Sequence, residues 1–132
     1  MIRILFLDDN PNRHAAMRSE RFNDARVDHA FDAAHAIEYL TSNTYDLIML
    51  DHDLSEDPDK IASTPDGSYV ARYMARHLIQ HSDTTVIVHS LNPDGAKNMM
   101  GILNDAGYSD VHVIPFAWNK LRVEGQVIKF EL

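Results

Sequence analysis

Hydrophobic residues along this chain fall into short dense runs, separated by segments in which they recur every three or four positions. Five runs stand out: "IRILFLD" (2–8), "RVDHA" (26–30), "YDLIMLD" (45–51), "TVIVHS" (85–90) and "VHVIP" (111–115). The first, third and fourth are nearly continuous in large or β-branched apolar residues, the pattern of parallel strands covered on both faces. The segments between them have helical spacing. It is weak over 12–22, then forms a stripe of Ala33, Ala36, Ile37 and Leu40 over 32–41. A clearer stripe of Val70, Tyr73, Met74, His77 and Leu78 marks 68–81. The segment "NPDGAKNMMGILNDAG" (92–107) also carries its own end signals: Asn92 as cap, Pro93 in the first turn and Gly107 as terminator.

Strand–helix alternation of this kind predicts a doubly wound α/β fold, with five parallel strands in the flavodoxin-like order 2-1-3-4-5. The 132 residues form one domain, 1–132, with no internal repeat or linker. Two places depart from the pattern. "DHDLSEDPDKIASTPDG" (51–67) is a polar loop far longer than the usual connection of about 2–6 residues. After the fifth strand no helix follows; "KLRVEGQVIKFEL" alternates around Glu124-Gly125 and predicts a C-terminal β-hairpin in place of the fifth helix.

Charge narrows the partners. Twenty acids against 12 bases leave a net charge of −8, which repels nucleic-acid backbones and argues against binding extended DNA or RNA. A small phosphorylated ligand held through a cation remains compatible with it. No apolar run approaches the roughly 20 residues that cross a bilayer, and the start "MIRILFLDD" is too short in apolar residues for a signal peptide. A cytoplasmic protein without membrane attachment is expected. With no cysteine, disulfides, thiol catalysis and cysteine zinc sites are excluded together.

In an open parallel sheet ligands bind beyond the carboxyl ends of the strands, where the strand order switches. For the predicted order that point lies between strands one and three, with strand four alongside. The residues leaving those strands are Asp8-Asp9, Asp51-His52-Asp53 and His89-Ser90. Aspartate commonly ends strands and starts turns, so one acidic pair alone says little. With Asp51 arriving at the same edge, mutual repulsion calls for a cation, and oxygen ligands select a hard divalent ion such as Mg²⁺ or Mn²⁺.

"LFLDDN", "LIMLD" and "VIVHS" resemble the receiver domains of two-component response regulators over roughly residues 1–115. The resemblance implies Asp8 and Asp9 as metal-binding acids and Asp51 as phosphoaccepting nucleophile. It further implies the Asp53 backbone as a metal ligand and Ser90 as the hydroxyl that contacts a phosphoryl group. Receivers carry a lysine before the proline that ends strand five; here Ile114 stands there, and Lys97 or Lys120 could compensate. His52 and His89 are additions at the site. "LDD…R", "LDHDL", "DG" (66–67) and "HSLNPDGAKNM" more narrowly resemble the cyclic-phosphate-processing receiver-like family. Membership there implies action on cyclic phosphate termini or cyclic nucleotides, in phage, RNA-repair or defence settings.

Two imidazoles suit proton transfer in phosphoryl chemistry and have no use in simple phosphate storage. The leading expectation is therefore a metal-dependent phosphoesterase with Asp51, His52, His89 and Ser90 as catalytic residues and Asp8, Asp9, Asp51 and Asp53 holding the metal. Arg13, Asn92 and Asn98 are the candidates for binding a small substrate, a cyclic nucleotide or an RNA terminus, to a monomer or weak dimer. Each has a plainer reading: an exposed loop for His52, strand-end packing for His89, an ion pair for Arg13 and a helix cap for Asn92. The alternatives are a phosphoaccepting signalling receiver and a degenerate receiver-like module that only binds protein. His52-Asp53 also spells the dipeptide of the helical HD phosphohydrolases, whose other ligands lie on helices that this site lacks.

Overall fold

A computed structural model describes residues 1–55, 59 and 64–131. The strands are β1 (Ile2–Leu7), β2 (Ala25–Ala30), β3 (Leu47–Leu50), β4 (Thr85–Val88) and β5 (Val111–Val113). They pair in parallel in the order β2-β1-β3-β4-β5, with Ile4 opposite Leu47 and Leu47 opposite Thr85. The expected sheet and strand order are present. Alternate residues of the central strands separate two cores. Leu5, Leu7, Ile48, Leu50, Val86 and Val88 pack under α2 (Ala33–Ser42), α3 (Gly67–Arg76) and α5 (Pro93–Ala106). Ile4, Phe6, Met49 and Ile87 face Met17 of α1 (Pro11–Met17) together with Trp118, Leu121 and Val123.

Local signals set the helix starts. Asn10 Oδ1 accepts the Asn12 N–H ahead of α1, and Asp32 Oδ1 accepts the His35 N–H ahead of α2. Asp66 serves α3 through the Ser68 N–H, and Asn92 serves α5 through the Gly95 N–H. Gly107 ends α5 at φ 112°, a conformation that costs glycine little.

Three expected elements are cut short. The helix over 12–22 stops at Met17, and a separate 3₁₀ turn, Glu20–Phe22, carries Phe22 into the core. The helix over 68–81 breaks at His77, whose Nδ1 lies 2.8 Å from the Tyr73 carbonyl while its ring stacks on Tyr73, leaving α4 (Leu78–His81) as a separate turn. β5 ends at Val113 because Pro115 has no N–H to continue the ladder. Of the predicted loop at 51–67, residues 56–58 and 60–63 lie outside the described residues; the described part contains no helix or strand before Gly67.

The C-terminal hairpin is present as β6 (Leu121–Glu124) and β7 (Val127–Phe130), antiparallel, turning at Gly125 with φ 60°. A 3₁₀ turn, Ala117–Asn119, leads into it. Hairpin and turn cover the sheet face beside α1, where a helix after β5 would otherwise lie. No helix among the described residues is long and apolar enough to cross a membrane.

Candidate functional site

β1, β3 and β4 end side by side and deliver the acids to one edge. Asp8 is fully buried, and its Oδ1 accepts the Asn10 N–H at 2.8 Å. Asp51 is 4% exposed, and its Oδ1 accepts the His52 N–H at 2.9 Å. Together with Asp9 these offer carboxylate oxygens that all lie within 4.8 Å of one another. The Asp51 carboxyl is pushed up to about 7, first by burial and then by the neighbouring Asp8 charge. Arg13, reaching in from α1, offsets part of this: its Nη1 is 3.3 Å from Asp8 Oδ2 and 3.6 Å from Asp51 Oδ2. The Asp51 carboxyl stays raised in spite of that guanidinium. A hard divalent cation fits this donor set, with Asp8, Asp9 and Asp51 as its acids.

A cavity of about 200 Å³ opens on this cluster, lined by Asp9, Arg13, Asp51, Asp53, Ser90 and Asn92 together with Ser55 and Leu91. Ser90 is buried, and its Oγ accepts the Asn92 N–H at 3.0 Å, which turns the chain from β4 into α5. Asn92 Nδ2 lies 3.4 Å from both Asp53 oxygens while its Oδ1 caps α5. Asn98 lies exposed on α5, outside the cavity lining. Ile114 packs partly buried against the α1 face, and neither Lys97 nor Lys120 lines the cavity.

The two site histidines sit behind the acids. His52 Nδ1 lies 2.8 Å from Asp53 Oδ1; a carboxylate only accepts, so Nδ1 carries the proton. Its Nε2 faces Asp66 Oδ2 at 3.5 Å. His89 has no exposed surface, stacks on Phe6 at 5.1 Å and meets the edge of Trp118 at 5.3 Å. Its Nε2 donates to the Leu7 carbonyl at 3.2 Å, while Nδ1, without a hydrogen-bond partner among the described residues, lies 3.7 Å from Asp8 Oδ2. Burial pulls its pKa down to about 3, so the ring is neutral and the contact with Asp8 is not an ion pair. Neither ring lines the cavity: His52 adjoins Asp53, and His89 lies beneath Asp8.

Two further residues shape the site without any spacing signal in the sequence. His14, fully buried, donates through Nε2–H to the Asp8 carbonyl at 2.7 Å. Its Nδ1 then accepts from His29 Nδ1–H, also at 2.7 Å. Burial lowers the pKa of both rings, His29 to about 4. Trp118, the single tryptophan, lies under Arg13 with the guanidinium carbon 4.6 Å from its ring centre. That contact holds the arginine fork at the cavity.

The glycines of the two sequence motifs have packing reasons. A Cβ on Gly67 would meet the Asp51 carbonyl oxygen at 1.9 Å, and one on Gly95 would meet the His52 ring at 2.4 Å. The "DG" and "NPDG" runs thus close around the Asp51-His52 segment.

The family described as "Cyclic-phosphate processing Receiver domain" matches residues 3–105, in agreement with the resemblance seen in the motifs. The chain matches no curated protein. Among solved structures it is similar to a response regulator protein from Burkholderia pseudomallei with a phosphorylated aspartic acid, calcium ion and citrate. That match has a TM-score of 0.63 and 15% identity, and covers 90% of this chain and 63% of that one. It is also similar to the receiver domain of a Francisella response regulator (TM-score 0.61, 20% identity, covering 90% and 88% of the two chains). A response regulator from Thermotoga maritima in complex with Mg²⁺-BeF matches at 23% identity and TM-score 0.60, covering 86% of each chain. At these identities the likeness is one of fold.

Proposed function

Because this chain belongs to the cyclic-phosphate processing receiver domain family, we propose that it is a metal-dependent phosphoesterase acting on a cyclic or terminal phosphate of a nucleotide or RNA end. The observation that carries this reading is the joining of three carboxylates, within 4.8 Å of one another, to an arginine and a capped helix start around one small cavity. Acids alone would repel a phosphate, and a cation with a guanidinium reverses that. Mg²⁺ or Mn²⁺, held when bound by the carboxylates of Asp8, Asp9 and Asp51 and the backbone of Asp53, supplies positive charge against the phosphoryl oxygens.

The chain's own groups do the rest. Arg13, steadied on Trp118, turns its free N–H edges to the phosphate. The Ser90 hydroxyl and the N–H groups at the start of α5 offer further donors. Water attacks phosphorus, one P–O bond to the ribose breaks, and the proton taken from the water is passed to the leaving ribose oxygen, giving a phosphomonoester with one free hydroxyl. Asp53, facing the cavity and bonded to His52, takes the proton from the attacking water, and the imidazole stabilises the protonated pair. His89, fully buried and bonded through Nε2–H to the Leu7 carbonyl, props the end of β1 from beneath, a positioning role in place of the proton transfer expected from sequence. Asn98, on the exposed side of α5, is left for substrate that extends beyond the cavity.

The test is a screen of the purified protein with Mg²⁺ or Mn²⁺ against 2′,3′-cyclic and 3′,5′-cyclic nucleotides, with metal-dependent release of a phosphomonoester as the expected result. The receiver fold itself supports the second reading, a signalling receiver phosphorylated on Asp51. No turnover, together with a long-lived aspartyl phosphate, would decide for that alternative.

A further inference from the structure

We propose that Phe116 is the base-reading residue of this site: its ring forms a stacking platform for the nucleobase of the substrate whose phosphate occupies the cavity beside Arg13. The inference rests on the phosphoesterase reading for the phosphate, and adds a residue and a requirement that the substrate carry a base.

Phe116 is costly where it stands. At φ 60° and ψ 27° it is the one non-glycine residue with positive φ among the described residues. Left-handed backbone is uncommon for any residue with a Cβ and an outlier for a bulky one. Burial does not explain the choice, because 47% of the residue is exposed. A glycine or asparagine would meet the backbone demand with less strain. A bulky aromatic in such a position points to a use for the ring itself.

Its neighbours say what that use is. The Phe116 ring meets the edge of Trp118, centre to centre at 5.6 Å and inclined by 63°. Trp118 in turn supports Arg13, which lines the cavity. One ring therefore separates the exposed aromatic from the phosphate clamp, as one sugar separates a base from its phosphate. Leu91, 49% exposed, adds an apolar side chain to the same cavity. Stacking also suits a chain of net charge −8: an aromatic face attracts a base without the basic residues that a nucleic-acid backbone requires.

The experiment uses Trp118, the only tryptophan, as reporter. Fluorescence titrations of wild type, Phe116→Gly, Phe116→Asn and Phe116→Tyr are made with adenosine 2′,3′-cyclic phosphate and with inorganic phosphate. The wild type should bind the nucleotide with quenching. The preference for nucleotide over inorganic phosphate should fall roughly 5- to 140-fold in the Gly and Asn variants, the range of one base–aromatic stack. Tyr should restore it. Thermal melts separate a packing role: Phe116→Gly and Phe116→Asn relieve the left-handed backbone and should melt no lower than wild type. An unchanged preference in both folded variants overturns the proposal, as does a wild type that binds phosphate and no nucleotide. Nucleotide binding that depends on Phe116 without any turnover would leave the platform standing and remove the phosphoesterase. Turnover with an unchanged preference would do the reverse.

Discussion

Gly95 lies against the face of His52, so close that a single added Cβ would sit 2.4 Å from the imidazole carbon Cγ. The first turn of α5 and the segment leaving β3 are thereby in contact through one missing side chain. Gly95→Ala should cost about 1–3 kcal/mol by overpacking. Combining it with His52→Ala should recover part of that loss, because the second change removes the obstacle. A double-mutant cycle by chemical denaturation measures the coupling; strict additivity would mean that the two residues are not in contact.

Gly67→Ala should be harsher. Its Cβ would fall 1.9 Å from the Asp51 carbonyl oxygen, and backbone yields less readily than an imidazole ring. Loss of metal binding together with a lowered melting temperature is expected, read by calorimetry and thermal scans.

Asp51 gives a pH signature in the metal-free protein. Its folded pKa, about 7, exceeds the roughly 3.9 of an unfolded aspartate. The folded state therefore holds the proton more tightly. This contribution to stability is complete below about pH 4, is lost as pH rises through 7, and stays constant above. Asp51→Asn should remove that slope and be more stable than metal-free wild type at pH 8. Millimolar Mg²⁺ or Mn²⁺ should stabilise the wild type at that pH and leave the variant unmoved. Denaturation at pH 5 and pH 8, with and without metal, checks all three outcomes.

His29, half-buried, and His89, fully buried, act with the opposite sign. Burial holds His29 near 4 and His89 near 3, below the roughly 6.5 of an unfolded histidine. Their contribution is present above pH 6.5 and lost as pH falls toward those values. Measured in the Asp51→Asn background, where the aspartate no longer titrates, stability should decline steadily from pH 6.5 to pH 4. A flat profile would mean that these rings are protonated in the folded protein.

Metal binding and proton transfer should separate genetically. Asp9→Ala should weaken Mg²⁺ or Mn²⁺ binding strongly, since it removes one of three converging acids. His52→Ala should keep the metal but lower turnover by roughly 10²–10⁴-fold, the usual share of general acid–base catalysis. His89→Ala, by contrast, removes a ring stacked on Phe6 inside the core and should be read first in the melting temperature. Beryllofluoride should produce no switch-like rearrangement, because Ile114 stands where receivers carry their lysine.

The sheet, its order and the terminal hairpin were legible because uninterrupted apolar runs and alternation leave few other arrangements for the strands. Helix ends were legible where a cap was written out, as at Asn92 and Gly107, and misjudged where a side chain closed the helix from within, as at His77. The acids of the site could be placed from strand order alone. The histidines could not: sequence puts His52 and His89 at the right edge, but which way a ring turns depends on packing. His89 faces Phe6, and His52 is held between Asp53 and Gly95. His14 and Trp118 had no signal, because their partners, Asp8 and Arg13, are brought to them only by the tertiary fold.

The position of Trp118 after the last strand of the main sheet has a consequence for the order of assembly. Every strand of the main sheet has been synthesised by Val113, and every acid of the site well before that. Arg13 is synthesised before every strand but the first, yet the ring it rests on, and which covers His89, comes more than a hundred residues later. A growing chain can complete its sheet while the clamp is still unsupported. A chain stalled between Val113 and Trp118 would have its strands without a finished site.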